Sequence, residues 1–75
     1  MPHIIIKLWP GKTEAQKRQL TDEILESAGR ILSYSDESFS VAFEEISSGS
    51  WRQEVYEKDI LNCKGTLYKP PGYKM

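Results

Sequence analysis

The sequence predicts one small α+β domain built on a βαβ unit, and three observations predict it. Two segments rich in β-branched and aromatic side chains, His3–Trp9 and Phe39–Ile46, flank a single amphipathic helical stretch. That stretch opens on a helix-capping signal and runs for about twenty residues, long enough to cross between two parallel strands. Beyond the second strand lie one short helical signal and a tail punctuated by proline and glycine. The crossover should be right-handed, as such connections are.

The first strand reads His-Ile-Ile-Ile-Lys-Leu-Trp and stops at Pro10-Gly11. Ile4, Ile6 and Leu8 point one way, but Ile5 and Trp9 share the opposite face with His3 and Lys7, so both faces read as partly buried. Thr13-Glu14-Ala15-Gln16 then has the T-x-x-Q form of a capping box. Leu20, Ile24, Ala28 and Ile31 follow at helical spacing, widened by Leu25 and Leu32, while Lys17, Arg18, Asp22, Glu23, Glu26 and Arg30 occupy the other faces. The helix is expected to end near Leu32. Gly29 inside it costs about 1 kcal/mol against alanine, which points to a close packing contact.

In the second strand Phe39, Val41 and Phe43 alternate with Ser40, Ala42 and Glu44. Ser47-Ser48-Gly49 reads as a loop, and Ser50-Trp51-Arg52-Gln53 as a second capping signal for a short helix over Trp51 to Lys58. From Asn62 onward Gly65, Pro70, Pro71 and Gly72 separate Leu67, Tyr68 and Tyr73, an extended tail able to lie on a neighbouring subunit. Residues 1–75 form one domain, with Met1 expected to be removed. No internal repeat, linker or low-complexity run interrupts it.

Composition narrows the function. The 75 residues are 39% apolar and 28% charged, and ten Lys plus Arg against eleven Asp plus Glu leave a formal charge of −1. Without a basic block there is no footprint for nucleic acid or a membrane surface. Ile4-Ile5-Ile6 is too short for a signal-peptide core or a membrane span, so a cytoplasmic protein is expected. The lone Cys63 can form no internal disulfide and lacks the spaced partners of a zinc site. Phosphate-loop, dinucleotide, zinc-protease and dithiol motifs are all missing, so no metal or cofactor is expected. A chain this short buries only roughly 60% of its unfolded surface, which makes self-association the expected remedy.

One residue stands out for chemistry. Removing Met1 would leave Pro2 with a free secondary amine at the head of a strand. An α-amino group titrates near pH 7.7 to 8.0 in model compounds (roughly), and desolvation or a nearby cation lowers it, so a neutral base would exist at cytoplasmic pH. The plain alternative is that proline is a common second residue.

The run Pro2-His3-Ile4-Ile5-Ile6-Lys7-Leu8-Trp9-Pro10-Gly11-Lys12-Thr13-Glu14-Ala15-Gln16-Lys17, the Ser38-Phe39-Ser40-Val41-Ala42 strand, Ser50-Trp51 and the closing Lys69-Pro70-Pro71-Gly72-Tyr73 together resemble the 4-oxalocrotonate tautomerase family. Within it the chain is most similar to the small dimeric PptA/YdcE-type subgroup, over nearly its whole length. The resemblance implies a βαβ tautomerase fold with sheets packed between subunits, a homodimer ahead of the hexamer of other relatives, and no cofactor. It also implies keto–enol tautomerisation of a small enolisable 2-oxo acid, phenylenolpyruvate-type enols included, with Pro2 as general base and acid.

Other residue roles follow from the same resemblance. Lys12 stands where hexameric members carry an arginine, so it is the candidate cation for the substrate carboxylate; otherwise it is a solvated loop lysine. Ser40 occupies the position of their strand-two arginine. Polarisation of the 2-oxo group then falls to the Ser40 hydroxyl, nearby backbone N–H groups, His3 or Arg52, which the sequence does not rank. Trp51 matches an aromatic pocket wall, or else anchors the short helix. Trp9 and Phe39 either line the site or fill the core. Cys63 reads as inert, and adjacent Glu44 and Glu45 point to opposite faces, so they form no acid–base couple. Two other readings remain: a hydratase or dehalogenase using Pro2 as an acid, and a non-catalytic oligomeric binding protein of the same fold.

Overall fold

The computed structural model describes all residues, Met1–Met75. Strand β1, His3–Leu8, pairs in parallel with β2, Ser40–Glu45, in a register that sets His3 opposite Ser40 and Leu8 opposite Glu45. Helix α1, Glu14–Leu32, supplies the crossover. Its capping box forms as the sequence requires: the Thr13 hydroxyl accepts from the Gln16 N–H at 3.1 Å, and the Gln16 side-chain oxygen accepts from the Thr13 N–H at 2.9 Å. The helix stops where Ser33 turns left-handed at φ 61°, and the N–H groups of Ser33 and Tyr34 both reach the Gly29 carbonyl. A Cβ on Gly29 would stand 3.0 Å from the Tyr34 carbonyl oxygen, the close contact that the glycine implied.

Register assigns the two sheet faces. Ile4, Ile6 and Leu8 share one face with Val41, Phe43 and Glu45. Helix α1 lies on that side, tied by an ion pair of 2.8 Å from Lys17 to Glu45. The Phe39 ring packs edge-on against Tyr34 at a centroid distance of 6.1 Å. The opposite face carries His3, Ile5, Lys7, Ser40, Ala42 and Glu44. Burial on this face is uneven: Lys7 and Ala42 are half-buried, whereas Ile5 is 48% exposed and Trp9, just beyond the strand, 55% exposed. The expectation of two partly buried faces holds in part: α1 covers one face, while on the other Lys7 reaches Asp59 of the second helical segment and Ile5 is left open.

The second helical segment departs from its expected form. It begins as α2, Ser48–Trp51, and continues directly as a π-helix over Arg52–Leu61. Ser50 is already inside the first turn, its N–H bonded to the Ser47 carbonyl at 3.0 Å, so the Ser50–Gln53 capping box does not form. A short 3-10 turn at Asp36–Ser38 leads into β2. The only buried residues are Val55 and Tyr56 of the π-helix. The tail returns to its own chain, with Tyr73 stacked on Tyr56 at 5.7 Å and accepting the Trp51 indole N–H at 3.0 Å. No helix is long and apolar enough to cross a membrane.

Candidate active site

The residues singled out by the sequence fall into two groups, one at each end of the parallel strands. Pro2 precedes β1 and is half-buried, and its carbonyl accepts the Ser40 N–H at 3.2 Å. This extends the ladder by one step and fixes Ser40 beside it. On the same side, His3 Nδ1 and Ser40 Oγ stand 2.6 Å apart. Phe39 is next in sequence, but its ring turns to the α1 side, against Tyr34, and serves packing there.

The other group gathers where β1 and β2 end. A groove of about 550 Å³ is lined by Leu8, Trp9, Trp51, Tyr73 and Met75, with Lys7 and Lys74 at its polar margin. Two elements and the tail shape it: Trp9 follows β1 directly, Trp51 closes α2, and the indole-to-phenol hydrogen bond holds Tyr73 across the gap. Lys12, in the turn between β1 and α1, belongs to this end and is exposed, without an ion-pair partner. At roughly 3.3 Å per residue, the six residues of β1 set the two groups about 20 Å apart. Pro2 and Ser40 are thus brought together, whereas Trp9 and Trp51 are brought together elsewhere, and Lys12 lies in the turn after β1, outside the groove lining.

Electrostatics differ between the ends. Lys7, at the groove margin, donates to Asp59 of the π-helix at 2.6 Å. That hydrogen bond holds its ammonium above the ordinary lysine pKa; partial burial opposes the shift, and the charges of Asp59, Glu44 and Glu54 add to it. Arg52 is engaged with Glu57 at 3.4 Å. A smaller concavity of about 320 Å³ along α1 is lined by Glu14, Lys17, Arg18, Thr21, Asp22 and Phe43. It holds none of the candidate residues. No group of three or more His, Cys, Asp or Glu side chains converges as a metal site would require.

Sequence reasoning missed Lys7, Leu8, Tyr73, Lys74 and Met75 as groove residues. The aromatic at position 73 stood in the closing Lys-Pro-Pro-Gly-Tyr run, but nothing local shows that the tail folds back onto Trp51. The His3–Ser40 pairing was equally invisible, since 37 positions separate the two residues.

Comparison with known proteins decides the family. The family model described as Tautomerase enzyme matches residues 2–57, three-quarters of the chain, beginning at the candidate proline. The chain belongs to the tautomerase family. Among tautomerase relatives, the protein named Tautomerase PptA from Escherichia coli (strain SMS-3-5 / SECEC) is 40% identical over 76 aligned positions, covering 100% of both chains. Tautomerase PptA from Cronobacter sakazakii (strain ATCC BAA-894) is 36% identical, again over 100% of both. A probable tautomerase from Xylella fastidiosa (strain 9a5c) is 36% identical over 97% of this chain and 89% of its own length. The tautomerase fold expected from the sequence and the isomerase class of the chain both stand on these matches together with the parallel βαβ unit.

Proposed function

We propose that this tautomerase is a cytoplasmic, homodimeric keto–enol isomerase of small enolisable 2-oxo acids, phenylenolpyruvate-type enols among them, with Pro2 as its base and acid. The observation that carries this reading is a family match that opens at Pro2, in a chain that holds Pro2 at the open head of β1 beside the Ser40 backbone. With Met1 removed, the neutral Pro2 nitrogen takes the enol O–H proton, the O–H electron pair becomes the second bond of the carbonyl, and the C=C pair collects a proton at carbon from the prolyl ammonium. Base and acid are then the same group, which is returned unchanged.

Binding divides between the two ends of the sheet. Ser40 lies beside Pro2, and Trp9 and Trp51 line a groove suited to a flat apolar group, with Lys7 and Lys74 at its margin and Lys12 in the turn that follows β1. A protomer that keeps these halves about 20 Å apart needs a second copy, arranged with its strands reversed, to set its groove against Pro2. Phe39 acts from the packing side, holding the strand that carries Ser40.

The test follows the ultraviolet absorbance of phenylenolpyruvate as it ketonises. Wild-type protein, shown by mass to lack Met1, accelerates the decay, and Pro2→Ala loses about a hundredfold or more of that acceleration, the size of a lost general base. Equal, slow decay with both proteins on this and other enolisable 2-oxo acids removes the tautomerase reading and leaves a non-catalytic binding protein.

A further inference from the structure

One polar contact beside Pro2 has no packing role. His3 and Ser40 are register partners on the sheet face that α1 does not cover, both are exposed, and Nδ1 and Oγ meet at 2.6 Å. Water could satisfy either side chain, so their meeting adds little to stability. Its consequence is directional. A serine hydroxyl has one proton to give, and an imidazole nitrogen either takes that proton or supplies its own. When Nδ1 carries hydrogen it donates to Oγ, and the hydroxyl proton is released to point at something else.

The polar groups of this chain that could serve the substrate oxygen at Pro2 are few. Within one chain Lys12 lies at the other end of β1, and the Lys12 that a second copy would bring is the candidate for the substrate carboxylate; Lys7 is bound to Asp59, and Arg52 to Glu57. Ser40, by contrast, is held to the Pro2 carbonyl through its own N–H, which sets its backbone beside Pro2, and His3 Nδ1 meets its hydroxyl.

We propose that Ser40 donates its hydroxyl hydrogen to the 2-oxygen of the substrate, and that His3 is the positioning residue that makes this possible by donating Nδ1–H to Ser40 Oγ. The inference rests on the tautomerase reading with Pro2 as base. As Pro2 removes the enol proton, negative charge gathers on the 2-oxygen. The Ser40 hydroxyl stabilises it there, and the imidazole N–H behind polarises that hydroxyl.

Ketonisation kinetics of the wild type, Pro2→Ala, Ser40→Ala, His3→Leu, the His3→Leu/Ser40→Ala pair and His3→Asn test it, with thermal melts confirming that each variant folds. Ser40→Ala is expected to lower kcat about tenfold or more, with KM changed by less than about threefold, as for loss of a transition-state donor. His3→Leu should lower kcat alone but add nothing in the Ser40→Ala background, because one residue acts through the other. His3→Asn, whose side-chain amide can place an N–H near the Nδ1 position, should restore kcat to within about threefold of wild type. Full kcat in Ser40→Ala, additive losses in the pair, or equal losses in His3→Leu and His3→Asn overturn the proposal while Pro2→Ala still shows a loss. A wild type no faster than Pro2→Ala overturns the tautomerase reading itself, and this proposal with it.

Discussion

At Lys7 the fold acts on a single proton. The side chain leaves the sheet face that α1 does not cover, reaches Asp59 at 2.6 Å, and keeps its proton above the ordinary lysine value of 10.5, chiefly through that hydrogen bond. Folding therefore favours the protonated amine, and its contribution is fully present below the unfolded pKa and disappears as pH rises through the higher folded value. Asp59→Asn should lower stability by about 1 kcal/mol or less, since solvent reaches both side chains. Urea denaturation at a fixed chain concentration should show that deficit constant from pH 7 to about 10 and shrinking above it. A deficit that grows in alkali would contradict the pairing. Nothing in the Ile6-Lys7-Leu8 run discloses this contact, because Asp59 lies 52 positions away and on a helix whose winding the sequence does not announce.

Elements differ in how openly the sequence declares them. The βαβ unit was legible because its signals are local: β-branched runs, a Thr-x-x-Gln cap, and apolar spacing of three and four. The π-helix was not. Its residues Arg52–Leu61 carry the same apolar signals as an α-helix, and one extra residue per hydrogen bond shows only in the geometry, where the Asn62 N–H bonds the Glu57 carbonyl at 3.2 Å. The C-terminal end of α1 offers a test of local geometry against helix propensity. Gly29→Ala should gain about 1 kcal/mol from propensity alone, yet its Cβ would press on the Tyr34 carbonyl at 3.0 Å, within a turn whose Tyr34 N–H is bonded to Gly29 itself. A net loss of about 1 kcal/mol is expected, because overpacking against backbone costs more than propensity returns. Ser33→Gly, at φ 61°, should instead gain roughly 0.5 kcal/mol. Chemical denaturation of the two variants at one chain concentration checks the opposite signs.

The whole molecule explains why half of the candidate site was legible and half was not. Pro2 and Ser40 could be named from sequence and do adjoin, whereas Lys12, Trp9 and Trp51 were named for the same site and lie at the far end of the strands. A list of site residues carries no information about which copy of the chain supplies each. The dimensions of one copy do carry some. Its radius of gyration is 13.9 Å, against about 11 Å for a compact chain of 75 residues. It exposes 6095 Å², about 1,400 Å² more than a monomeric protein of 8.6 kDa is expected to. That excess matches what one subunit of an obligate dimer buries, roughly 1,000–2,500 Å². Ile5, 48% exposed on the sheet face opposite α1, lies where such burial is needed. Ile5→Asp should therefore shift the protein in sedimentation from about twice the chain mass of 8.6 kDa toward a single chain, with ketonisation lost alongside. Subunit mixing separates a shared site from mere stability. Pro2→Ala and Trp51→Ala homodimers, each inactive, should regain about a quarter of wild-type activity after exchange, because one site in each hybrid then combines an intact proline with an intact groove. Exchange without any recovery would place Pro2 and Trp51 of one site on the same chain, against the 20 Å (roughly) that β1 sets between them.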